Sequence, residues 1–320
     1  MSNDLVNQRQ IQWFPGHMAK TLRVMEASLK QVDVILQILD ARIPYSSLNP
    51  EIARITRGKP HLYVLNKADL ADPNVTARWV LYFTREGDGC VALSSKNRAG
   101  IAGVKAAIGQ ELEALLSRRS LKGMAGAKIR VMVVGIPNVG KSTFINSFAG
   151  TTKAKAADKP GVTRGKQWVT VAGAADLELL DTPGILWPKI ETERQGLLLC
   201  ATGAIRDRIH DTEYIAQFLI ERMNERYPQA LAGRYGLQDT QGLNGPDLLD
   251  ALARARGFVR RGGAADTAPH PPKHPPPPPE PLLSPTPPGR SGAAVPPPKN
   301  KQKRPPGPPR GIFLAHTLWM

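Results

Sequence analysis

Cysteine, acid and long apolar runs are all scarce in this 320-residue chain. Two cysteines, Cys90 and Cys200, cannot build a disulfide framework, which points to a reducing compartment, here the cytoplasm. No apolar run reaches the ~18–20 residues that span a bilayer, so an integral-membrane reading is excluded. The N-terminal MSNDLVNQRQ lacks the apolar core of a signal peptide, which excludes a secreted one. Aromatics make up 6% of the residues, and no ladder of them suits stacking on single-stranded nucleic acid. Acids number 27 against 43 Lys+Arg, a formal charge of +16. That imbalance asks for a polyanionic partner, nucleic acid before a membrane surface.

Proline is plentiful but crowded into one end. Of 30 prolines, 19 lie between Pro269 and Pro309. From Thr267 to Met320 there are seven Lys/Arg and a single acid, Glu280, so this tail carries +6 and residues 1–266 keep +10. With few apolar groups to offset the entropy of ordering, residues 267–320 read as a disordered basic tail with polyproline II character.

In the rest of the chain, short apolar runs end in polar loops. Val32 to Leu39 runs into Asp40-Ala41-Arg42-Ile43-Pro44, and His61 to Leu65 into Asn66-Lys67-Ala68-Asp69. Cys90 to Leu93 leads to Ser94-Ser95-Lys96, Ile129 to Val134 to a Gly-rich loop, and Leu177 to Leu180 to Asp181-Thr182-Pro183-Gly184. Continuous β-rich runs suit strands buried on both faces, with helical stretches such as Ile101 to Leu116 between them. The fold class is α/β with a mostly parallel sheet, whose ligand site belongs at the carboxyl ends of the strands. Past about Thr202, Tyr214 to Tyr227 and Leu248 to Arg261 read as helices of a small all-helical domain. The expected division is 1–200, 201–266 and the tail 267–320.

Gly135-Ile136-Pro137-Asn138-Val139-Gly140-Lys141-Ser142 fits the G-x-x-x-x-G-K-S phosphate loop, with Thr143 next in the helix behind it. Its amides can wrap phosphate oxygens, Lys141 can reach the β/γ-phosphates, and the Ser142 hydroxyl can ligate Mg²⁺. Asn66-Lys67-Ala68-Asp69 fits N-K-x-D. Asp69 can accept from guanine N1–H and its amino group, which adenine does not offer in that arrangement, so GTP is favoured over ATP. Asn66 can brace the loop, the Lys67 stem can cover the base, and the Ser94-Ser95-Lys96 loop can meet the guanine oxygen through its backbone. Asp181 and Gly184 fit D-x-P-G, the acid holding Mg²⁺ indirectly and the Gly184 amide meeting the γ-phosphate. Thr163, in Pro160-Gly161-Val162-Thr163, is the candidate switch threonine completing the Mg²⁺ shell, the plainer reading being a turn threonine.

The motif order is unusual, with the base-reading loop ahead of the phosphate loop. Joining the old termini and opening new ones elsewhere keeps the same sheet, a circular permutation. With WFPGHMAK at Trp13 to Lys20, DARIP at Asp40 to Pro44, GIPNVGKS, PGVTRGKQW and DTPG, the chain resembles the YlqF/RbgA family of circularly permuted ribosome-assembly GTPases from about Ile11 to Asp266. That resemblance implies a circularly permuted P-loop GTPase domain, a helical domain touching ribosomal RNA, action on the maturing large (50S) subunit, and a monomer off the ribosome. Ile185 and Leu186 follow Gly184 where many GTPases carry a water-orienting glutamine, and the resemblance nominates His17 for that task. The alternatives are a loop histidine braced by Trp13 and Phe14, or one that touches RNA. No arginine finger is identifiable in the chain, so turnover alone should be slow. By the same resemblance Asn138 is a K⁺ ligand beside the phosphates, and the bland reading is a cap on the loop turn.

Basic residues cluster at Arg118, Arg119, Lys122, Lys128 and Arg130, at Lys153, Lys155, Lys159, Arg164 and Lys166, and at Arg254, Arg256, Arg260 and Arg261. Any one run suits a solvated face; together they favour RNA phosphate. A rival reading is a GTP-binding adaptor that recruits SH3-like partners through P-x-x-P spacings at Pro275/Pro278 and Pro285/Pro288. The tail departs from the family, which continues with mixed-charge helix past an RRGG-like segment. A reading-frame slip near Thr267 would produce that departure, and a family-like helix in another frame of the coding DNA is the expected trace.

Overall fold

The computed structural model describes residues 16–121, 128–150, 167–171, 174–205, 211–237 and 240–258. The tail, Thr163, Trp13, Phe14, the Lys153–Lys166 cluster, Lys122, Arg260 and Arg261 lie outside them. The side chains of His17, Arg118 and Arg119 lie outside them as well.

The chain alternates helix and strand: α1 (Gly16–Ser28), β1 (Val34–Asp40), α2 (Pro50–Ile55), β2 (His61–Asn66), α3 (Pro73–Glu86), β3 (Gly89–Ala92), α4 (Ile101–Leu121), β4 (Ile129–Gly135), α5 (Lys141–Ala149), β5 (Gln167–Val171) and β6 (Ala174–Asp181). Helices α6 (Glu193–Ala201), α7 (Thr212–Arg226), α8 (Pro228–Tyr235) and α9 (Gly245–Ala255) follow. Helix starts are set by side-chain caps. Asn49, Asp72, Asp211 and Asn244 each accept from amides of the first turn, and proline follows directly at Pro50 and Pro73. Gly87 ends α3 at φ +98°, where a side chain would strain the backbone.

The strands form one sheet in the order β3-β2-β1-β4-β6-β5, parallel except for β5, which runs antiparallel to β6. From β1 the chain steps outward through β2 to β3, while from β4 it steps the other way toward β6 and β5. The topological switch point therefore lies between β1 and β4, which pair directly from Val34↔Val131 to Ile38↔Gly135. All five parallel strands end in the polar loops singled out in the sequence, so those loops converge on one edge.

β1 is buried along its whole length because both sheet faces are covered. Leu36, Ile38, Val64, Val104, Val133, Phe144 and Leu199 pack on one side, and Ile35, Ile52, Met132 and Leu180 on the other. The expected division at 200/201 falls at the last residue of α6, and α7 beyond it packs into both cores. Ile215 packs in the main core, whereas Ile220 joins Leu231, Leu237 and Leu248 in a small helical core. The last described helix also differs from the Leu248–Arg261 expectation: Asn244 caps it earlier, accepting from the Asp247 amide at 3.0 Å, and it closes at Ala255.

Candidate nucleotide site

The loop after β4 turns on three residues with positive φ: Gly135 (+155°), Asn138 (+56°) and Gly140 (+94°). At Gly140 a Cβ would come 2.5 Å from Asn66 Nδ2, so the close approach of the base-reading loop demands glycine there. Pro137 and Val139 are buried beneath the loop, and Thr143 is exposed on α5. Lys141 is 7% exposed, and its ammonium donates to the Gly135 and Ile136 carbonyls at 3.2 and 2.8 Å. Burial pulls it down to about 8; Asp181 opposes that fall and Lys67 adds to it.

Asn66 closes β2 and is 2% exposed. Its Nδ2 donates to Val139 O at 2.8 Å, and its Oδ1 accepts from the Ser95 amide at 3.0 Å and the Ser95 hydroxyl at 2.8 Å. One amide thus fastens the N-K-x-D, phosphate and Ser94-Ser95-Lys96 loops together. Ser147 of α5 adds a further bond to Ser95 O at 2.6 Å. Ser94 and Ser95 are buried, while Lys96 and Asp69 are exposed. Asn66→Ala removes all three Asn66 bonds and strands the Ser95 N–H and Val139 C=O, a cost of about 3 kcal/mol. Thermal unfolding should show Tm falling by roughly 10 °C, and a fall under about 2 °C would contradict the bracing role.

Lys67 adopts φ +61° and spans the switch point, its Nζ donating to Asp40 Oδ2 at 2.9 Å and to Asn138 O at 2.7 Å. Asp40 also receives Arg42 through Nε at 2.9 Å and Nη2 at 2.7 Å. Burial raises the Asp40 carboxyl, but Arg42 and Lys67 outweigh it and hold the group below the usual carboxylate range. Arg42 is therefore committed to Asp40. This buried Asp40–Arg42–Lys67 cluster is a site feature that chemistry-based reading of the sequence missed. Its signal is a charged D-A-R run closing a strand that is otherwise apolar apart from Gln37.

The D-x-P-G loop lies directly on the phosphate loop. Ser142 Oγ donates to Asp181 Oδ2 at 3.2 Å, bringing a hydroxyl and a carboxylate together where the loop enters α5. These are hard oxygen donors of the kind Mg²⁺ takes, and the pair fits that ion. A Cβ on Gly184 would stand 2.7 Å from the Pro137 backbone and 2.9 Å from Lys141 Nζ, so only glycine fits. Ile185 and Leu186 are fully buried, Ile185 N–H donating to Gly135 O at 3.3 Å. Asn49 Nδ2 secures the same turn, donating to Ile185 O at 2.9 Å. Neither residue after Gly184 can reach a water at the phosphates.

Asn138 Nδ2 donates to Gly203 O at 2.7 Å, tying the phosphate loop to the connector between α6 and α7. With its NH₂ so engaged, the amide keeps Oδ1, the atom a cation takes. The His17 backbone sits in the first turn of α1.

A permuted parallel sheet, a phosphate loop at its switch point and a guanine-type loop bonded to that loop define a P-loop GTPase. The sequence profile of the 50S ribosome-binding GTPase family fits residues 130–225. The ribosome biogenesis GTPase A of Bacillus pumilus is 44% identical over 253 residues, 79% of this chain and 89% of that protein. That of Bacillus cereus is 43% identical over 256 residues, 80% of this chain and 86% of that protein. GDP-bound YlqF of T. maritima shares the fold, with a TM-score of 0.50 and 24% identity over 77% of this chain and 88% of that one. The chain belongs to the ribosome biogenesis GTPase A family, YlqF/RbgA, and is a GTP-hydrolysing enzyme. GTPases of this class work with Mg²⁺. These likenesses give the adaptor reading no support. Among the described residues no helix is long and apolar enough to cross a membrane.

Proposed function

We propose that this GTPase is a cytoplasmic assembly factor, monomeric off the ribosome, that docks on ribosomal RNA of the maturing large (50S) subunit and hydrolyses GTP there. The observation that carries the reading is the Asn66 junction. It holds a guanine-type loop against a phosphate loop in the permuted order shared with relatives named for ribosome biogenesis.

In this reading Asp69 reads the guanine edge from its exposed position. Lys67 stacks its stem on the base, and the Ser94-Ser95-Lys96 loop meets the guanine oxygen. The backbone N–H groups of the Gly135–Thr143 loop, Pro137 excepted, together with Lys141 and the Gly184 amide hold the phosphates. Mg²⁺, held by Ser142, Thr163 and, through water, Asp181, supplies charge neutralisation at the β/γ-phosphates. K⁺ at Asn138 supplies the positive charge that an arginine finger gives elsewhere, consistent with the commitment of Arg42 to Asp40. His17 orients the attacking water, a role that the burial of Ile185 and Leu186 leaves to another group.

His17→Ala should lower kcat about 10²-fold with GTP affinity unchanged. Replacing K⁺ by Na⁺ should slow the wild type at least about tenfold. Steady-state phosphate release with nucleotide titrations reads both. Unaltered kcat in the variant removes His17 from the chemistry, and equal rates in the two salts remove K⁺.

A further inference from the structure

Helices α3 and α7 meet at a cleft of about 480 Å³ lined by Asp72, Val75, Arg78, Glu225, Arg226 and Tyr227. Both acids of the cleft are already engaged. One Asp72 oxygen accepts from the Asn74 and Val75 amides, and the other accepts from the Tyr227 hydroxyl at 3.2 Å. Glu225 accepts from Arg222 Nη1 at 2.8 Å. Arg78 and Arg226 are exposed, and neither has an ion-pair partner among the described residues.

Arg194 of α6, half-buried, lies within reach of the charges of Arg222 and Arg226. Burial lowers its affinity for the proton first, and the charges of Arg222 and Arg226 lower it further, with Glu225 partly offsetting them. Arg78 and Arg226 thus face the same cleft from two helices.

We propose that this α3–α7 cleft binds the phosphodiester backbone of structured RNA, with Arg78 and Arg226 on phosphates and the half-buried Tyr227 ring as an apolar wall against a ribose. This inference rests on the ribosomal reading above and names its contact surface. Guanidinium forks match phosphate oxygens in pairs, which favours a nucleic-acid backbone over a point charge. Asp72 stands three residues beyond Asp69, so RNA seated here adjoins the helix that follows the guanine-reading loop.

The test compares the wild type, Arg78→Ala, Arg226→Ala and the double variant in full-length protein. Arg85→Ala, exposed on the same helix, is the control. Binding to immature large-subunit particles by sedimentation, and to an RNA hairpin by anisotropy, is measured from 50 to 300 mM KCl. Each single change should weaken both interactions about five- to tenfold and reduce the log–log salt slope by about 1, the double variant by about 2, with basal GTPase unaltered. A double variant with the wild-type slope, or an Arg85→Ala loss of equal size, overturns the cleft. Failure of the wild type to sediment with particles sinks the ribosomal reading, and the hairpin then decides the cleft. No wild-type binding to the hairpin overturns it too.

Discussion

Asp69→Ala is expected to weaken GTP binding about 10³-fold while leaving Tm within about 2 °C of the wild type. The asymmetry follows from position. Asp69 is exposed and follows Lys67, which is held at φ +61° by bonds to Asp40 and Asn138, so the loop keeps its shape without the carboxylate. What disappears is a charged acceptor for two guanine N–H groups, each such bond contributing about 1.5–3 kcal/mol. Titration of GTP, ITP and ATP into both proteins reads the effect. ITP, lacking the amino group, should bind the wild type more weakly than GTP and lose less in the variant. A GTP loss below about tenfold would take Asp69 out of base recognition.

The second large effect belongs to Lys141. Lys141→Ala should raise the GTP dissociation constant about 10²- to 10³-fold, the loss of charge-assisted bonds to two phosphates, and should not lower Tm. Stability is spared because the ammonium is buried and brought to about 8 by the protein groups around it. Its folded value lies below its ordinary 10.5, so between pH 8 and 10.5 the unfolded chain carries more of this proton. The resulting penalty is fully present below pH 8 and fades as the pH rises toward 10.5. Phosphate reverses the shift by restoring a negative neighbour, so GTP binding takes up a proton above pH 8. Wild-type affinity should fall about tenfold from pH 7 to 9, a change absent in Lys141→Ala. Calorimetry in buffers of differing ionisation enthalpy at pH 8.5 measures that uptake, and none at all would contradict the assignment.

Much of the site was legible because each motif follows an apolar run too continuous to be anything but a buried strand. Val32 to Leu39 and Ile129 to Val134 became β1 and β4, and the loops after them had nowhere to go but the shared edge. Strand β5 was not legible: Gln167 to Val171 is short and keeps no clean alternation, with Gln167 and Thr170 exposed, and it pairs antiparallel at the sheet's rim with a register shift at Thr170/Val171. Helix α6 was also missed, since Leu197, Leu198 and Leu199 form an apolar run that periodicity cannot assign.

Long-range partners were the least legible feature. Asn66 could be expected to brace a loop, but its partners Ser95 and Val139 lie 29 and 73 residues away. Likewise nothing local links Asn138 to Gly203 or Asp72 to Tyr227, two bonds between the nucleotide-loop side of the molecule and residues past α6. Those contacts arise from tertiary packing, which leaves no periodic trace in sequence.

Under the proposed function, the permuted GTPase waits for the large ribosomal subunit to complete its catalytic site. The direct measurement is turnover of GTP and ATP by the full chain in KCl, with and without immature large-subunit particles. Slow GTP turnover alone, rising at least about tenfold with particles, and no particle-stimulated ATP turnover are the predicted results. Equal GTP turnover with and without particles would contradict completion of the site by the subunit.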